Sequence, residues 1–80
     1  MPNQPKVDQT LDCIGLFCPE PVFRARLELD KLAVGQVLEI IADDPAAETD
    51  IPALVKRTGH KLLKTWKKGN QIHFLIEKVK

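Results

Sequence analysis

The sequence lacks the features that mark a membrane, secreted or metal-binding protein. No apolar stretch approaches the roughly 20 residues needed to span a bilayer, and the N-terminus has no apolar core like that of a signal peptide. The two cysteines, Cys13 and Cys18, fit neither a secreted disulfide framework nor a paired Cys-x-x-Cys metal or redox site. We therefore expect a cytoplasmic protein with no metal site, no cofactor and no membrane partner.

Strong charge and internal repetition are also absent. The formal net charge is +1, and the 80 residues contain no repeat, low-complexity run or linker. A chain of this length buries only about 60% of its unfolded surface, which leaves no room for a large substrate cavity. We expect residues 1–6 to be a disordered tail, residues 7–80 to form one domain, and the protein to be a monomer.

The spacing of apolar residues predicts the element order βαβαββ. The predicted strands are Thr10 to Ile14, Gln36 to Ala42, Lys61 to Lys67 and Gln71 to Lys78, and the predicted helices run from about Pro19 to Lys31 and from Thr49 or Asp50 to a stop at Gly59. Two successive right-handed crossovers place both helices on one face of the sheet. The predicted fold class is α/β (α+β), a two-layer sandwich of two helices on a mixed four-stranded sheet, whose other face is partly wet.

Periodicity also predicts part of the core. The inward residues are Val22, Ala25, Leu29 and Leu32 in the first helix and Leu54, Val55 and Thr58 in the second. Cys13 has the strand parity of Leu11, so a Leu11 that faces the helices puts Cys13 in the core. The alternative is that Cys13 is a resolving thiol that forms a disulfide with Cys18.

The most informative segment is Cys18-Pro19-Glu20-Pro21, which sets a thiol at the start of a helix. Proline is favoured in a first helical turn, and we therefore expect Cys18 to be the N-cap. There, unpaired amide N–H groups and the positive end of the helix dipole lower a thiol pKa from about 8.5, while Glu20 opposes this effect and Pro21 removes one donor. The segment predicts a moderately activated cysteine; the alternative is an inert, buried one.

Three blocks of the sequence together resemble the TusA/SirA family of sulfur carriers. They are Leu11 to Pro21 with its C-P-x-P motif, Ala42 to Ala46 followed by Asp50-Ile51-Pro52, and Gly59 to Leu62. The blocks occur in the family's order and cover nearly the whole chain. The family's fold, a mixed four-stranded sheet backed by two helices, agrees with the βαβαββ order predicted from periodicity.

The resemblance implies that Cys18 accepts sulfane sulfur as a persulfide and passes it on. The donor would be a cysteine desulfurase or a rhodanese-like protein, and the acceptor a DsrE-like or other protein in tRNA thiolation, molybdenum-cofactor synthesis or sulfur oxidation. Such a carrier is modified stoichiometrically, so sulfurtransferase describes its chemistry while the word enzyme stays open. Several relatives have another residue where this chain has Cys13, which leaves a two-thiol cycle open.

The first helix also offers a candidate docking surface beside Cys18. Phe23 and Leu27 are four residues apart and point away from the core stripe, and Arg24 and Arg26 flank them. We expect these four residues to help bind donor and acceptor proteins, with the arginines steering an acidic partner edge. The alternative is an ordinary scatter of exposed apolar residues.

A function of another class is a small nucleic-acid-binding or regulatory module. The basic residues that motivate it are Lys56, Arg57, Lys61, Lys64, Lys67 and Lys68 on the second helix and the hairpin. Trp66 among them is able to stack on a base, although packing is the simpler interpretation. The low net charge and the lack of an aromatic-basic stripe argue against direct nucleic-acid binding.

Asp43 and Asp44 are interpreted as residues that end a strand and cap a turn, rather than as acid–base groups.

Overall fold

A computed structural model describes residues 6–17 and 19–80, and has the predicted order of elements. The predictions for residues 1–5 and for the side chain of Cys18 lie outside the described residues. The elements are β1 (Gln9–Cys13), α1 (Glu20–Lys31), β2 (Val37–Ala42), α2 (Ala47–Thr58), β3 (Lys61–Lys68) and β4 (Gln71–Glu77). Within the described ranges, no helix is long and apolar enough to cross a membrane.

The four strands form one mixed sheet in the order β1-β2-β4-β3. β1 and β2 are parallel, with Cys13 opposite Ala42, and β4 is antiparallel to both of its neighbours. Because parallel strands end at the same edge, the residues that follow Cys13 and Ala42 lie side by side. This edge of the sheet is where the chain turns toward the C-P-x-P segment.

Both helices pack on one face of the sheet, which confirms the two-layer architecture. Ala25, Leu29, Leu54 and Val55 are buried as predicted, whereas Val22, Leu32 and Thr58 are only partly buried. The buried residues that the helices share with the sheet are Cys13, Leu38, Ile40, Ala42, Ile51, Ile72, Phe74 and Ile76. Ile51 belongs to this core although the predicted inward face of the second helix did not include it.

The sheet face that no helix covers is less exposed to solvent than the sequence predicted. Leu75 is 2% exposed, Val37 6% and His73 9%, while Lys64 and Lys68 on the same face are exposed. The indole of Trp66 stacks on the imidazole of His73, so a large neighbouring side chain covers this part of the face in place of a helix.

Local hydrogen bonds explain why some element boundaries were predicted wrongly. β1 ends at Cys13 instead of Ile14, since the Asp12 carboxylate accepts the Ile14 N–H at 2.9 Å and turns the chain. α1 begins at Glu20 with Pro19 as its N-cap, so the prediction of Cys18 as the N-cap is wrong by one residue.

α2 begins at Ala47, whereas the sequence predicted a start at Thr49 or Asp50. Asp44 starts the turn, because its side chain accepts the Ala46 N–H at 3.1 Å and its carbonyl accepts the Ala47 N–H at 2.9 Å. Pro52 therefore lies inside the helix rather than in its first turn. Gly59 ends the helix as predicted, in a left-handed conformation with φ 82° that a residue without a Cβ adopts readily.

Candidate functional site

The loop between β1 and α1, residues 14–19, leads the chain to the C-P-x-P segment and is anchored at several described positions. The Leu16 N–H donates to the Cys13 carbonyl at 3.2 Å, and the Leu16 side chain packs against the core. The Gly15 N–H donates to Oδ1 of Asp43, the first residue after β2, at 3.0 Å. The loop is therefore tied to its own strand, to the core and to the neighbouring strand.

The start of α1 offers fewer free amide donors than the sequence suggested. The Glu20 N–H donates to the Phe17 carbonyl at 2.8 Å, and Pro19 and Pro21 have no N–H at all. Three consecutive residues at the helix start thus provide no unpaired donor to an anion. Any activation of a thiol here depends more on the helix dipole than on hydrogen bonds from this turn.

The negative charge of Glu20 is partly compensated. Its Oε2 lies 3.4 Å from Nε of Arg24, one helical turn further along an exposed face. An exposed pair of this kind contributes little to folding stability, but it places a cation next to the carboxylate expected to oppose thiolate formation. The structure therefore gives Arg24 a local partner.

Three large apolar side chains surround the motif in sequence and are exposed. Phe23 is 62% exposed and Leu27 58%, as the docking prediction requires, and Phe17 is 74% exposed. Phe17 was not singled out from the sequence, although its place immediately before Cys18 is a usable signal. The described residues on both sides of Cys18 thus present apolar surface.

Arg26 lies beside a groove between the two helices, and Arg24 does not. The groove near the start of α1 is lined by Pro19, Val22, Phe23, Arg26, Leu54 and Arg57. Within the described ranges, Arg26 and Arg57 form no ion pair. An apolar groove lined by two guanidinium groups suits a ligand that carries both apolar and acidic groups. Arg57 thus joins the candidate docking residues, although the sequence had suggested it only for nucleic-acid binding.

Cys13 is fully buried in the core beneath the helices, as its strand parity predicted. Burial raises the pKa of its thiol, an effect that the nearby Arg24 only partly offsets. A protonated, inaccessible thiol is a poor nucleophile. These observations favour a structural role, and the pairing with Cys18 stays a prediction because Cys18 lies outside the described residues.

The basic residues proposed for nucleic-acid binding point in different directions. Lys67 pairs with Glu48 of α2 at 2.7 Å, on the helix side of the sheet, while Lys64 lies on the opposite face, where its Nζ is 5.1 Å from the centroid of the Trp66 ring. Trp66 has His73 on one side and Lys64 close by. The group is therefore not one continuous patch, and the interpretation of Trp66 as a packing residue is favoured.

The remaining polar candidates serve the backbone. Asp44 caps the turn before α2, as expected, and Asp43 binds the Gly15 amide. His60 accepts the Val79 N–H on Nδ1 at 3.2 Å. Residues 6–17 and 19–80 contain no cluster of three or more His, Cys, Asp or Glu side chains that could hold a metal ion.

Comparison with known proteins adds a family to this geometry. The family model described as Sulfurtransferase TusA matches residues 9–78. A putative sulfur carrier protein of Archaeoglobus fulgidus is 52% identical over 71 residues, which cover 88% of this chain and 92% of the relative. The sulfur carrier protein TusA of Allochromatium vinosum is 45% identical over 71 residues, 89% of this chain and 93% of the relative.

A solved structure shares the fold. The crystal structure of a SirA-like protein from Desulfitobacterium hafniense superposes with a TM-score of 0.79 and covers 90% of this chain and 99% of its own, at 24% sequence identity. At that identity the likeness concerns the fold alone, and it agrees with the mixed sheet and the two helices on one face.

Proposed function

The chain belongs to the TusA sulfurtransferase family, and we propose that it carries sulfane sulfur as a persulfide on Cys18. The observation that carries the proposal is the anchored loop of residues 14–19, in which Cys18 stands between an exposed Phe17 and the first turn of α1. The other cysteine, Cys13, is fully buried. Of the two thiols, Cys18 is therefore the one with accessible neighbours on both sides.

The transfer step needs no external oxidant or reductant. The Cys18 thiolate attacks the outer sulfur of a donor persulfide, R–S–SH; a new S–S bond forms, the S–S bond of the donor breaks, and the donor leaves as the thiolate R–S⁻. The product is Cys18–S–SH, and an acceptor thiolate removes the outer sulfur in the same way. The rate depends on the thiolate fraction and on access to the attacking sulfur.

The donor and the acceptor belong to the proposal as protein classes. A cysteine desulfurase or a rhodanese-like protein would load Cys18, and a DsrE-like or other acceptor would unload it for tRNA thiolation, molybdenum-cofactor synthesis or sulfur oxidation. The carrier is modified once per cycle and needs both partners to turn over. Sulfurtransferase therefore describes its chemistry without making it an independent enzyme.

Partner docking is proposed on α1 and the adjoining groove. Phe23 and Leu27 supply exposed apolar area, and Arg26 supplies a positive charge beside the groove. Arg24 is retained in the docking surface, although its pairing with Glu20 leaves it less charge to offer a partner. Apolar anchors with neighbouring arginines are typical of protein interfaces.

The test is intact-protein mass spectrometry after incubation with a cysteine desulfurase and cysteine, with a rhodanese and thiosulfate as a second donor system. We expect the wild type and Cys13→Ala to gain the mass of one or more sulfur atoms, and Cys18→Ser to gain none. A sulfur gain retained in Cys18→Ser, or no gain from either donor while a control carrier is loaded, would contradict the proposal.

A further inference from the structure

Asp43 is joined by one specific contact to the loop between β1 and α1, residues 14–19, which we call the thiol loop. Its Oδ1 accepts the N–H of Gly15 at 3.0 Å, across 28 positions of sequence. Among the residues that the structure describes, the side chains of Asp12 and Asp43 hydrogen bond to the backbone of residues 14–17, and of these two only Asp43 is distant in sequence. The contact therefore joins the loop that follows β1 to the first residue beyond β2.

The register of the sheet explains how this contact forms. Cys13 pairs with Ala42 at the ends of two parallel strands, so Asp43 is the first residue beyond β2 and lies next to the first residues beyond β1. Gly15 turns the chain there with φ 82°, and the turn points its N–H toward the carboxylate. Cys18 follows three residues later.

We propose that Asp43 is a positioning residue for sulfur transfer, and that its carboxylate holds the loop in the conformation that presents Cys18 to a partner protein. The inference rests on the proposed function, because it assigns a role in the transfer at Cys18. A preorganised nucleophile meets its target without first ordering its own loop. The neighbouring Asp44 instead starts the turn into α2.

The chain supplies a matched control at the other end of the same strand pair. Oδ2 of Asp8 accepts the N–H of Val37 at 2.8 Å, which also joins β1 to β2 through a carboxylate and a backbone amide. Asp8 stands before β1, whereas the thiol loop follows β1. Asp8→Ala therefore removes a similar bond without touching the loop that leads to Cys18.

The experiment compares Asp43→Ala, Asp43→Asn and Asp8→Ala in three measurements. They are the rate of sulfur transfer to Cys18 from the donor protein that loads the wild type, the rate of Cys18 alkylation by iodoacetamide across pH, and hydrogen exchange of the Gly15 amide. Asp43→Asn keeps a side-chain oxygen that accepts the Gly15 N–H and removes the charge, so it separates positioning from electrostatics.

We expect Asp43→Ala to transfer sulfur about five- to tenfold more slowly than wild type, the effect of one lost hydrogen bond, and its Gly15 amide to lose protection. Asp43→Asn should keep that protection and a rate within about twofold of wild type. Alkylation by the small reagent should change little in either, since it needs no aligned loop. Asp8→Ala should lose about as much thermal stability as Asp43→Ala, but its rate of sulfur transfer should equal that of the wild type.

Equal transfer rates in Asp43→Ala and Asp8→Ala would overturn the positioning role, as would retained protection of Gly15 in Asp43→Ala. Should Asp43→Ala fail to fold, Asp43→Glu replaces it, because it keeps the charge and displaces the acceptor oxygen by one methylene. A wild-type transfer rate in Asp43→Glu would also overturn the positioning role. Loading of Cys18→Ser contradicts the proposed function instead, so the two failures are distinguishable.

Discussion

The indole of Trp66 stacks on the imidazole of His73 with ring centroids 4.8 Å apart and planes 12° from parallel. The stack lies on the sheet face that no helix covers, and Nδ1 of His73 is 3.1 Å from Oε2 of Glu39 on the next strand. The Nε2 atom of His73 is buried without a partner. The contact between Glu39 and Nδ1 therefore holds the imidazole in the orientation in which it stacks on Trp66.

We predict that this stack stabilises the uncovered sheet face. A double-mutant cycle with Trp66→Leu and His73→Leu should give a coupling free energy of about 0.5–1.5 kcal/mol, the usual range for offset aromatic pairs. Urea unfolding of the four proteins measures this coupling free energy. Unfolding is followed by far-UV circular dichroism, because Trp66→Leu removes the single tryptophan. Additive effects of the two substitutions would show that the rings are only neighbours.

A second prediction concerns the selectivity of thiol labelling. Iodoacetamide should modify Cys18 in the folded protein and leave Cys13 unmodified, because burial both blocks Cys13 and raises the pKa of its thiol. Cys13 should react only after unfolding in urea. Peptide mapping by mass spectrometry after labelling with and without urea gives the result, and comparable labelling of both thiols in the native state would favour the two-thiol cycle.

Parity and periodicity were sufficient to predict most of the fold. Cys13 was placed in the core from its parity with Leu11, and Ala25 and Leu29 from helical spacing, since burial of an apolar face determines these positions. The start of α2 was missed because Asp44 begins a turn that contains Pro45 and leads into the helix, while Thr49 and Asp50 resembled better caps. Caps depend on local hydrogen bonds, for which several polar residues compete in sequence.

The candidate site was less predictable than the fold. Phe23 and Leu27 were predicted correctly to be exposed, because they lie opposite the core stripe. The bond between Asp43 and Gly15 joins residues 28 positions apart, and it depends on the parallel register of two strands. The groove residue Arg57 depends on how two helices pack. Such relationships arise in tertiary structure, and no local pattern in the sequence encodes them.

A third prediction concerns pH and His60. Burial, followed by the positive charges of Lys78 and Lys80, lowers the pKa of its imidazole from the ordinary value, and the neutral ring accepts the Val79 N–H. His60 therefore takes up a proton near pH 6.5 in the unfolded chain, and only at a lower pH in the folded protein. Folding stability should fall as pH drops from about 6.5 toward the lower folded-state pKa.

The matched variant for this prediction is His60→Asn. Urea unfolding at pH 7 and pH 5 should show a smaller loss of stability on acidification in His60→Asn than in the wild type, since the variant lacks this one titrating group. Every other titratable group is present in both proteins, so its contribution cancels to first order. An equal pH dependence in the two proteins would mean that the pKa of His60 does not differ between the folded and unfolded states.

The groove between α1 and α2 leads to a last prediction, on partner recognition. Arg26 and Arg57 line the groove together with Phe23 and Leu54, and within the described ranges neither arginine has an anionic partner. If they bind acidic groups of the donor protein, Arg26→Glu and Arg57→Glu should each slow sulfur loading about tenfold or more, because each replaces attraction by repulsion. The effect should diminish at high salt.

Lys56→Glu is the control for Arg57→Glu. It makes the same change in net charge on an exposed residue adjacent in sequence that does not line the groove. Alkylation of Cys18 by iodoacetamide should proceed at comparable rates in all four proteins, which separates docking from thiol reactivity. If Lys56→Glu slows loading as much as Arg57→Glu does, general electrostatic steering explains the charge dependence and the groove has no specific role. If only the groove variants are slow, the donor binds beside the helix that begins at the C-P-x-P motif.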